Sequence, residues 1–157
     1  MDLERWQVRA YRAIPPRFRL RATRLATPNF TVGSMAFLTD DGERVLLGRT
    51  TYRNGWLPTG GFVQRGETPQ QTIAREVQEE LGIAAELQPY HRVAFDAKRQ
   101  GVTFICVGRL PEGATFELSA ELREVRWFAF DEIPPFPPDY HEGMTDDDVT
   151  AIRALAR

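Results

Sequence analysis

Three glutamates, Glu76, Glu79 and Glu80, crowd into the short run R-E-V-Q-E-E. On a helix, residues three and four apart project from one face, so the three carboxylates would converge there. Left alone they repel one another and weaken the helix. A hard divalent cation, Mg²⁺ or Mn²⁺, is the counter-charge that clustered carboxylate oxygens suit best. Arg75 can take only part of that charge. For any single glutamate a solvated acidic face is the plainer reading. The surroundings argue for more: Gly60-Gly61 and a loop to Glu67 come directly before, bringing backbone close to the carboxylates. Glu67 is placed to pair with Arg75 and hold that loop against the helix.

The helix that must position these groups is legible. Thr68 is an N-cap, and Pro69 stands at the first helical position, where its missing N–H costs nothing. Gln71 completes a capping box, and Gly82 ends the helix as a C′ residue. The expected helix runs from Pro69 to Leu81, with Ile73, Ala74, Val77 and Leu81 as its buried stripe.

The stretch from Gly61 to Ile83 resembles the Nudix box, G-x5-E-x7-R-E-U-x-E-E-x-G-U with U bulky and aliphatic. Gly61, Glu67, Arg75-Glu76-Val77, Glu79-Glu80, Gly82 and Ile83 fill every fixed position. Trp56-Leu57-Pro58-Thr59-Gly60-Gly61 is similar to the W-x-L-P-G-G that precedes the box, with Thr59 where proline is common. Gln64 stands where many members carry a glutamate, and Arg126-Trp127-Phe128 with Asp131-Glu132-Ile133-Pro134 resembles the closing strand and turn. The Thr59 and Gln64 departures bear on loop shape and substrate, and leave the metal-binding pattern intact.

The resemblance implies an α/β fold: an α/β/α sandwich around a mixed β-sheet, with the box as loop–helix–loop. It also implies Mg²⁺-dependent hydrolysis of the diphosphate linkage in a nucleoside diphosphate joined to a group X. Nucleotide sugars, ADP-ribose-like compounds and nucleoside triphosphates all stay open as substrates. Glu76, Glu79 and Glu80 would hold the metal, with the Gly60 carbonyl as a further ligand; Gly61, Glu67 and Arg75 would support the box. One carboxylate must also accept a proton from the attacking water. Glu79 or Glu80 is favoured for this, then Glu121 and Glu124 from a later segment. Arg49 and Arg53, just upstream, are candidates for substrate phosphate. Tyr52 could stack on a base, whereas Trp56 is expected to pack under the loop; His91 and His141 are poor candidates for the base. The alternatives are an idle nucleotide-sensing domain, which the complete glutamate set argues against, and an RNA-end pyrophosphohydrolase. A reaction like that of isopentenyl-diphosphate isomerase would need a reactive cysteine near the box, and Cys106 lies in a later apolar strand.

A chain of 157 residues, 42% of them hydrophobic, has room for one core and a modest extension. Residues 29–157 are expected to form the hydrolase domain. Residues 1–28 form a basic, helical extension, in which seven arginines face only Asp2 and Glu4. Leu3, Trp6, Ala10, Ala13 and Ile14 suggest a helix stopped by Pro15-Pro16, and Phe18 to Leu25 a second short element. The arm's charge would suit a phosphate, nucleic-acid or membrane contact, but the plainer expectation is that it packs on an acidic body or on a second subunit, which leaves a homodimer open. The formal net charge of −2 gives no global reason to expect nucleic acid as a partner. No apolar run reaches membrane-span length, the start lacks a secretion signal, and the single cysteine fits a reducing compartment; the cytoplasm is the default. No internal repeat stands out.

Phe30–Thr39, Arg44–Arg49, Ile83–Leu87, Tyr90–Ala97, Val102–Leu110 and Val125–Phe130 read as strands. Asp40-Asp41-Gly42 is a turn signal, and Val102–Leu110, almost wholly apolar, is expected to be central. Thr145 caps a last helix whose stripe is Val149, Ile152, Leu155 and Ala156.

Overall fold

The computed structural model describes residues 3–40, 43–137, 140 and 143–155. His141, Ala156 and the Asp41-Gly42 half of the expected turn lie outside the described residues. The chain divides into two compact units, Met1–Phe30 and Thr31–Arg157.

The first unit is a pair of consecutive helices, α1 (Leu3–Ala13) and α2 (Pro16–Ala26). Pro15 cannot continue α1, and Pro16 starts α2 where no N–H is needed. Arg19 ties the two together. Its Nε donates to the Ile14 carbonyl at 3.0 Å, its Nη2 to the Arg12 carbonyl at 3.3 Å, and its guanidinium lies over the Tyr11 ring. A cation thus meets the negative end of the α1 dipole.

The second unit holds seven strands: β1 (Thr31–Thr39), β2 (Arg44–Thr50), β3 (Thr59–Phe62), β4 (Glu86–Leu87), β5 (Arg92–Asp96), β6 (Gly101–Arg109) and β7 (Leu122–Ala129). The sheet order is β4-β6-β1-β2-β7, with β3 paired to β1 and β5 to β6. It is mixed: β1 runs parallel to β6, with Thr31 opposite Gly101 and Thr39 opposite Arg109, while the other pairs are antiparallel. The apolar run in β6 is central, as its composition suggests.

Side chains alternate across the strands and split the core in two. Ala36, Leu38, Leu46 and Cys106 face one way and pack with Ile73, Val77 and Leu81 of α3 (Pro69–Leu81). Met35, Phe37, Val45, Leu47, Ile105 and Val107 face the other way, against Ile152 of α4 (Asp146–Leu155). The result is an α/β/α sandwich. Each fully buried aliphatic on α3 contributes about 1.5–3 kcal/mol by leaving water. The stripe differs at one place: Ala74 is exposed and Thr72 is buried instead. Thr72 tolerates this because its hydroxyl donates to Glu67 Oε2 at 2.8 Å.

Both caps of α3 form. The Thr68 hydroxyl accepts from the Gln71 N–H at 3.3 Å, and the Gln71 side chain accepts from the Thr68 N–H at 2.9 Å. Gly82 takes φ of +70°. Thr68→Ala is expected to cost about 1 kcal/mol, read as a lower urea midpoint at unchanged slope.

Three elements depart from the sequence reading. Thr59–Phe62, expected to be loop, is strand β3; Ile83–Leu87 shrinks to the two residues of β4; and the strand expected over Val125–Phe130 begins at Leu122, so that Glu124 lies within β7. Among the described residues, no helix is long and apolar enough to cross a membrane.

Candidate active site

β3 and α3 meet because Gly61 has no side chain. A Cβ built on Gly61 would run into the carboxylate of Glu76. One on Gly60 would meet the Ser34 carbonyl at 2.6 Å and Met35 Cβ at 2.8 Å, on the neighbouring strand. The glycine pair therefore lets the strand lie flat on β1 and the helix carboxylate lie flat on the strand.

Arg75 organises the charge around this contact. Its Nε donates to Glu67 Oε1 at 2.8 Å and its Nη2 to Glu67 Oε2 at 3.2 Å. Its Nη1 donates to Glu76 Oε1 at 2.8 Å and to Glu79 Oε2 at 2.9 Å. Glu67 also accepts from the Thr72 hydroxyl and, at 3.1 Å, from the Gln64 N–H. The bonds from Arg75 and then Thr72 hold the Glu67 carboxyl down to about 2. Glu67 is thus ionised at any working pH, and loop and helix are tied by a charge-assisted pair.

Glu80 lies on the far side of this network and is half-buried. Burial first, and the charge of Glu76 second, push its carboxyl up to about 8; Glu121 and Glu79 add to the rise, and a hydrogen bond from Thr59 opposes it. Thr59 thus steadies a site carboxylate from the position where the resemblance expects proline. Glu121 arrives because the chain before β7 caps the carbonyl end of α3. The Glu117 N–H donates to the Leu81 carbonyl at 3.0 Å and the Ser119 N–H to the Glu80 carbonyl at 3.1 Å.

These groups line a cleft of about 560 Å³. Glu76, Glu79, Glu80 and Glu121 share it with Gly60, Gly61, Arg75 and Arg53. Glu124 and Arg49 are not among its lining residues: Arg49 Nη1 donates to Glu124 Oε1 at 2.8 Å across the β2–β7 pair, and the Arg49 guanidinium lies over Trp56. Trp56 packs edge-on against Phe128 with ring centroids 5.0 Å apart. His91 is held at 2.7 Å by Asp148, away from the cleft lining. Cys106 is buried, and burial pushes its thiol up to about 12. The sequence reading passed over Phe62 and Arg99, which also line the cleft. Phe62 is exposed, an unusual state for an aromatic ring on a strand and a signal visible only once β3 has formed.

Among the described residues, no three His, Cys, Asp or Glu side chains stand close enough to hold a metal ion as they are. Arg75 occupies one oxygen each of Glu76 and Glu79. The chemistry of the donor set fits a hard divalent cation even so. Every donor is an oxygen, and Glu80 resists ionisation because it is part-buried and its neighbour Glu76 is anionic, both of which a cation would offset. Gly61→Ala is expected to push Glu76 aside and lower turnover by at least ~10-fold, since misplacement of about 1 Å can cost ~100-fold. Steady-state kinetics beside an unchanged circular dichroism spectrum would check it.

Comparison with known proteins agrees on the fold. Residues 29–147 match the family described as NUDIX domain. The chain is 32% identical over 117 residues to the NAD-capped RNA hydrolase NudC of Escherichia coli, covering 73% of this chain and 46% of the relative. It therefore spans a little under half the length of that hydrolase. A NUDIX hydrolase structure from Nitrosomonas europaea is 28% identical with a TM-score of 0.62, covering 69% of this chain and 62% of that one. A UDP-X diphosphatase structure is 18% identical with a TM-score of 0.63 over 92% of this chain and 73% of its own. An ADP-ribose pyrophosphatase structure from Streptococcus suis is 19% identical with a TM-score of 0.64, covering 82% and 93%. The last two share the fold.

Proposed function

The chain belongs to the Nudix family, and from that premise we propose that it is a divalent-metal-dependent pyrophosphohydrolase acting on a nucleoside diphosphate linked to a second group. The observation that carries the proposal is the gathering of Glu76, Glu79, Glu80 and Glu121 on one cleft. Glu76, Glu79 and Glu80, with the Gly60 carbonyl, would hold Mg²⁺ or Mn²⁺. When bound, the ion supplies charge to offset the phosphate oxygens and acidifies a water.

The chain's own groups do the rest. Attack of water forms one P–O bond and breaks the bridging P–O bond, releasing two phosphate compounds. The water's proton passes to a carboxylate, for which Glu80 on this cleft is favoured. Glu79 and Glu121, on the same cleft, are the runners-up. Glu67 holds Arg75, and Arg75 holds Glu76 and Glu79, so the carboxylates stay put as charge develops. Arg53 faces the cleft and suits a substrate phosphate. The exposed rings of Tyr52 and Phe62 at the same cleft suit a nucleobase.

The likeness to a hydrolase of NAD-capped RNA favours a second reading, in which the diphosphate is the one in a dinucleotide cap at an RNA end. A substrate panel with Mg²⁺ separates the two. It would hold ADP-ribose, nucleotide sugars, nucleoside triphosphates, NAD⁺ and NAD-capped RNA. Turnover of a free nucleotide class, abolished by chelator, supports the first reading; turnover of capped RNA alone supports the second. Tight nucleotide binding without turnover of anything would make the domain a sensor.

A further inference from the structure

The N-terminal helix pair is a repeat. Arg5-Trp6-Gln7-Val8-Arg9-Ala10-Tyr11-Arg12 and Arg17-Phe18-Arg19-Leu20-Arg21-Ala22-Thr23-Arg24 follow one pattern: arginine, aromatic, any, aliphatic, arginine, alanine, any, arginine. The first copy falls on α1 and the second on α2. It escapes a reading by identity because Trp6/Phe18 and Val8/Leu20 match only in class.

Steps of four and three keep a residue type on one helix face. Arg17, Arg21 and Arg24 therefore line one stripe of α2, and Phe18, Ala22 and Leu25 line the adjacent one. In α1 the same steps fall on Arg5, Arg9 and Arg12 and on Trp6, Ala10 and Ala13. Arg9, Arg12, Arg17, Arg21 and Arg24 are exposed. So are the large apolar residues of both helices, Val8, Phe18 and Leu20 among them: Trp6 is 57% exposed and Leu25 89%, while Ala22 is half-buried. No residue of α2 is buried. Two eleven-residue helices in this state gain little from packing, and helices so short are marginal in water unless something covers them.

We propose that the α1–α2 pair docks the protein on an anionic lipid bilayer. A short helix with a cationic stripe beside an apolar one lies in the plane of the membrane interface. Its apolar face enters the acyl boundary and its guanidiniums stay among the phosphates. Duplication of the pattern doubles the footprint, and the Arg19 clamp ties the two copies together. A single-stranded nucleic acid fits less well, because its bases need open rings to stack on. Here guanidiniums already cover two of them, Arg17 over Phe18 at 4.9 Å and Arg19 over Tyr11 at 5.3 Å. Pairing with the same helices of a second copy would bring two sets of seven arginines together.

The test is co-sedimentation of the full chain with vesicles of phosphatidylcholine, alone or mixed equally with phosphatidylglycerol. Binding is expected to be at least ~10-fold tighter on the anionic vesicles and to weaken as salt rises. Replacing Arg9, Arg12, Arg21 and Arg24 together by Gln is expected to weaken it by at least ~100-fold. Trp6→Ser with Leu25→Ser is expected to weaken it while the arginines remain, which separates apolar insertion from surface adsorption. Both variants should keep wild-type circular dichroism. No vesicle binding, binding indifferent to either variant, or tighter binding to a single-stranded RNA oligonucleotide than to vesicles would overturn the proposal.

Discussion

Glu80→Gln is expected to lower the Mg²⁺-dependent hydrolysis rate by at least ~100-fold, the scale for losing an acid–base or electrostatic group. The same variant is expected to be more stable than the wild type in the absence of metal. The sign follows from the raised carboxyl. Its folded value of about 8 exceeds its ordinary 4.5, so the folded state binds that proton more tightly than the unfolded state. Below pH 4.5 Glu80 is protonated in both states and costs nothing. Between 4.5 and 8 the wild type loses stability as the site is forced toward ionisation, and above 8 the penalty is complete. A neutral amide escapes that penalty. Urea titrations of metal-free protein should therefore show the variant gaining on the wild type as pH rises. Lost activity together with gained stability assigns the effect to chemistry. Full activity in the variant would remove Glu80 from the reaction, and a collapsed variant would make its role structural.

Asp148→Ala should have the largest effect on stability, about 3–5 kcal/mol. Asp148 is fully buried at the start of α4. It accepts from Arg92 Nη2 at 2.7 Å, lies 2.7 Å from His91 Nε2, and accepts the Thr145 N–H and hydroxyl at 2.8 Å each. Removing it leaves Arg92 part-buried beside no anion and uncaps α4. Burial by itself would push the Asp148 carboxyl up; the bonds from Arg92, Thr145 and His91 outweigh it and hold it below 3.8. Its contribution is thus fully present above pH 3.8 and fades as pH falls through the lower, folded value. The gap between wild type and variant should be constant at neutral pH and close in acid. A gap under 1 kcal/mol at pH 7 would mean that α4 is held by Ile152 and its apolar neighbours alone.

The parts of the fold written in short-range patterns were legible. Thr68-Pro69 and Gly82 bracket α3 because caps act within a turn, and the apolar run of Val102–Leu110 marks the central strand. What escaped depends on distant partners. Thr59-Gly60-Gly61-Phe62 has poor strand propensity and becomes β3 only because β1 offers a ladder, with Gly33 opposite Phe62 and Met35 opposite Gly60. Arg49 looked free to meet a phosphate until β7 placed Glu124 beside it. Arg92 and Asp148, 56 residues apart, give no sign in the sequence of belonging together. In the site itself the box residues are adjacent in sequence or on one helix, so their grouping could be read. Phe62, Arg99 and the Thr59 hydroxyl could not, since strand pairing and the loop caps bring them to the cleft.

The central claim is that the box carboxylates hold a divalent cation for hydrolysis, and Mn²⁺ binding followed by electron paramagnetic resonance tests it most directly. Wild-type protein should bind Mn²⁺ in competition with Mg²⁺, and Glu76→Gln combined with Glu80→Gln should abolish that binding while the fold persists. Undiminished Mn²⁺ binding in the double variant, or none in a wild type that still cleaves diphosphates, would contradict the account.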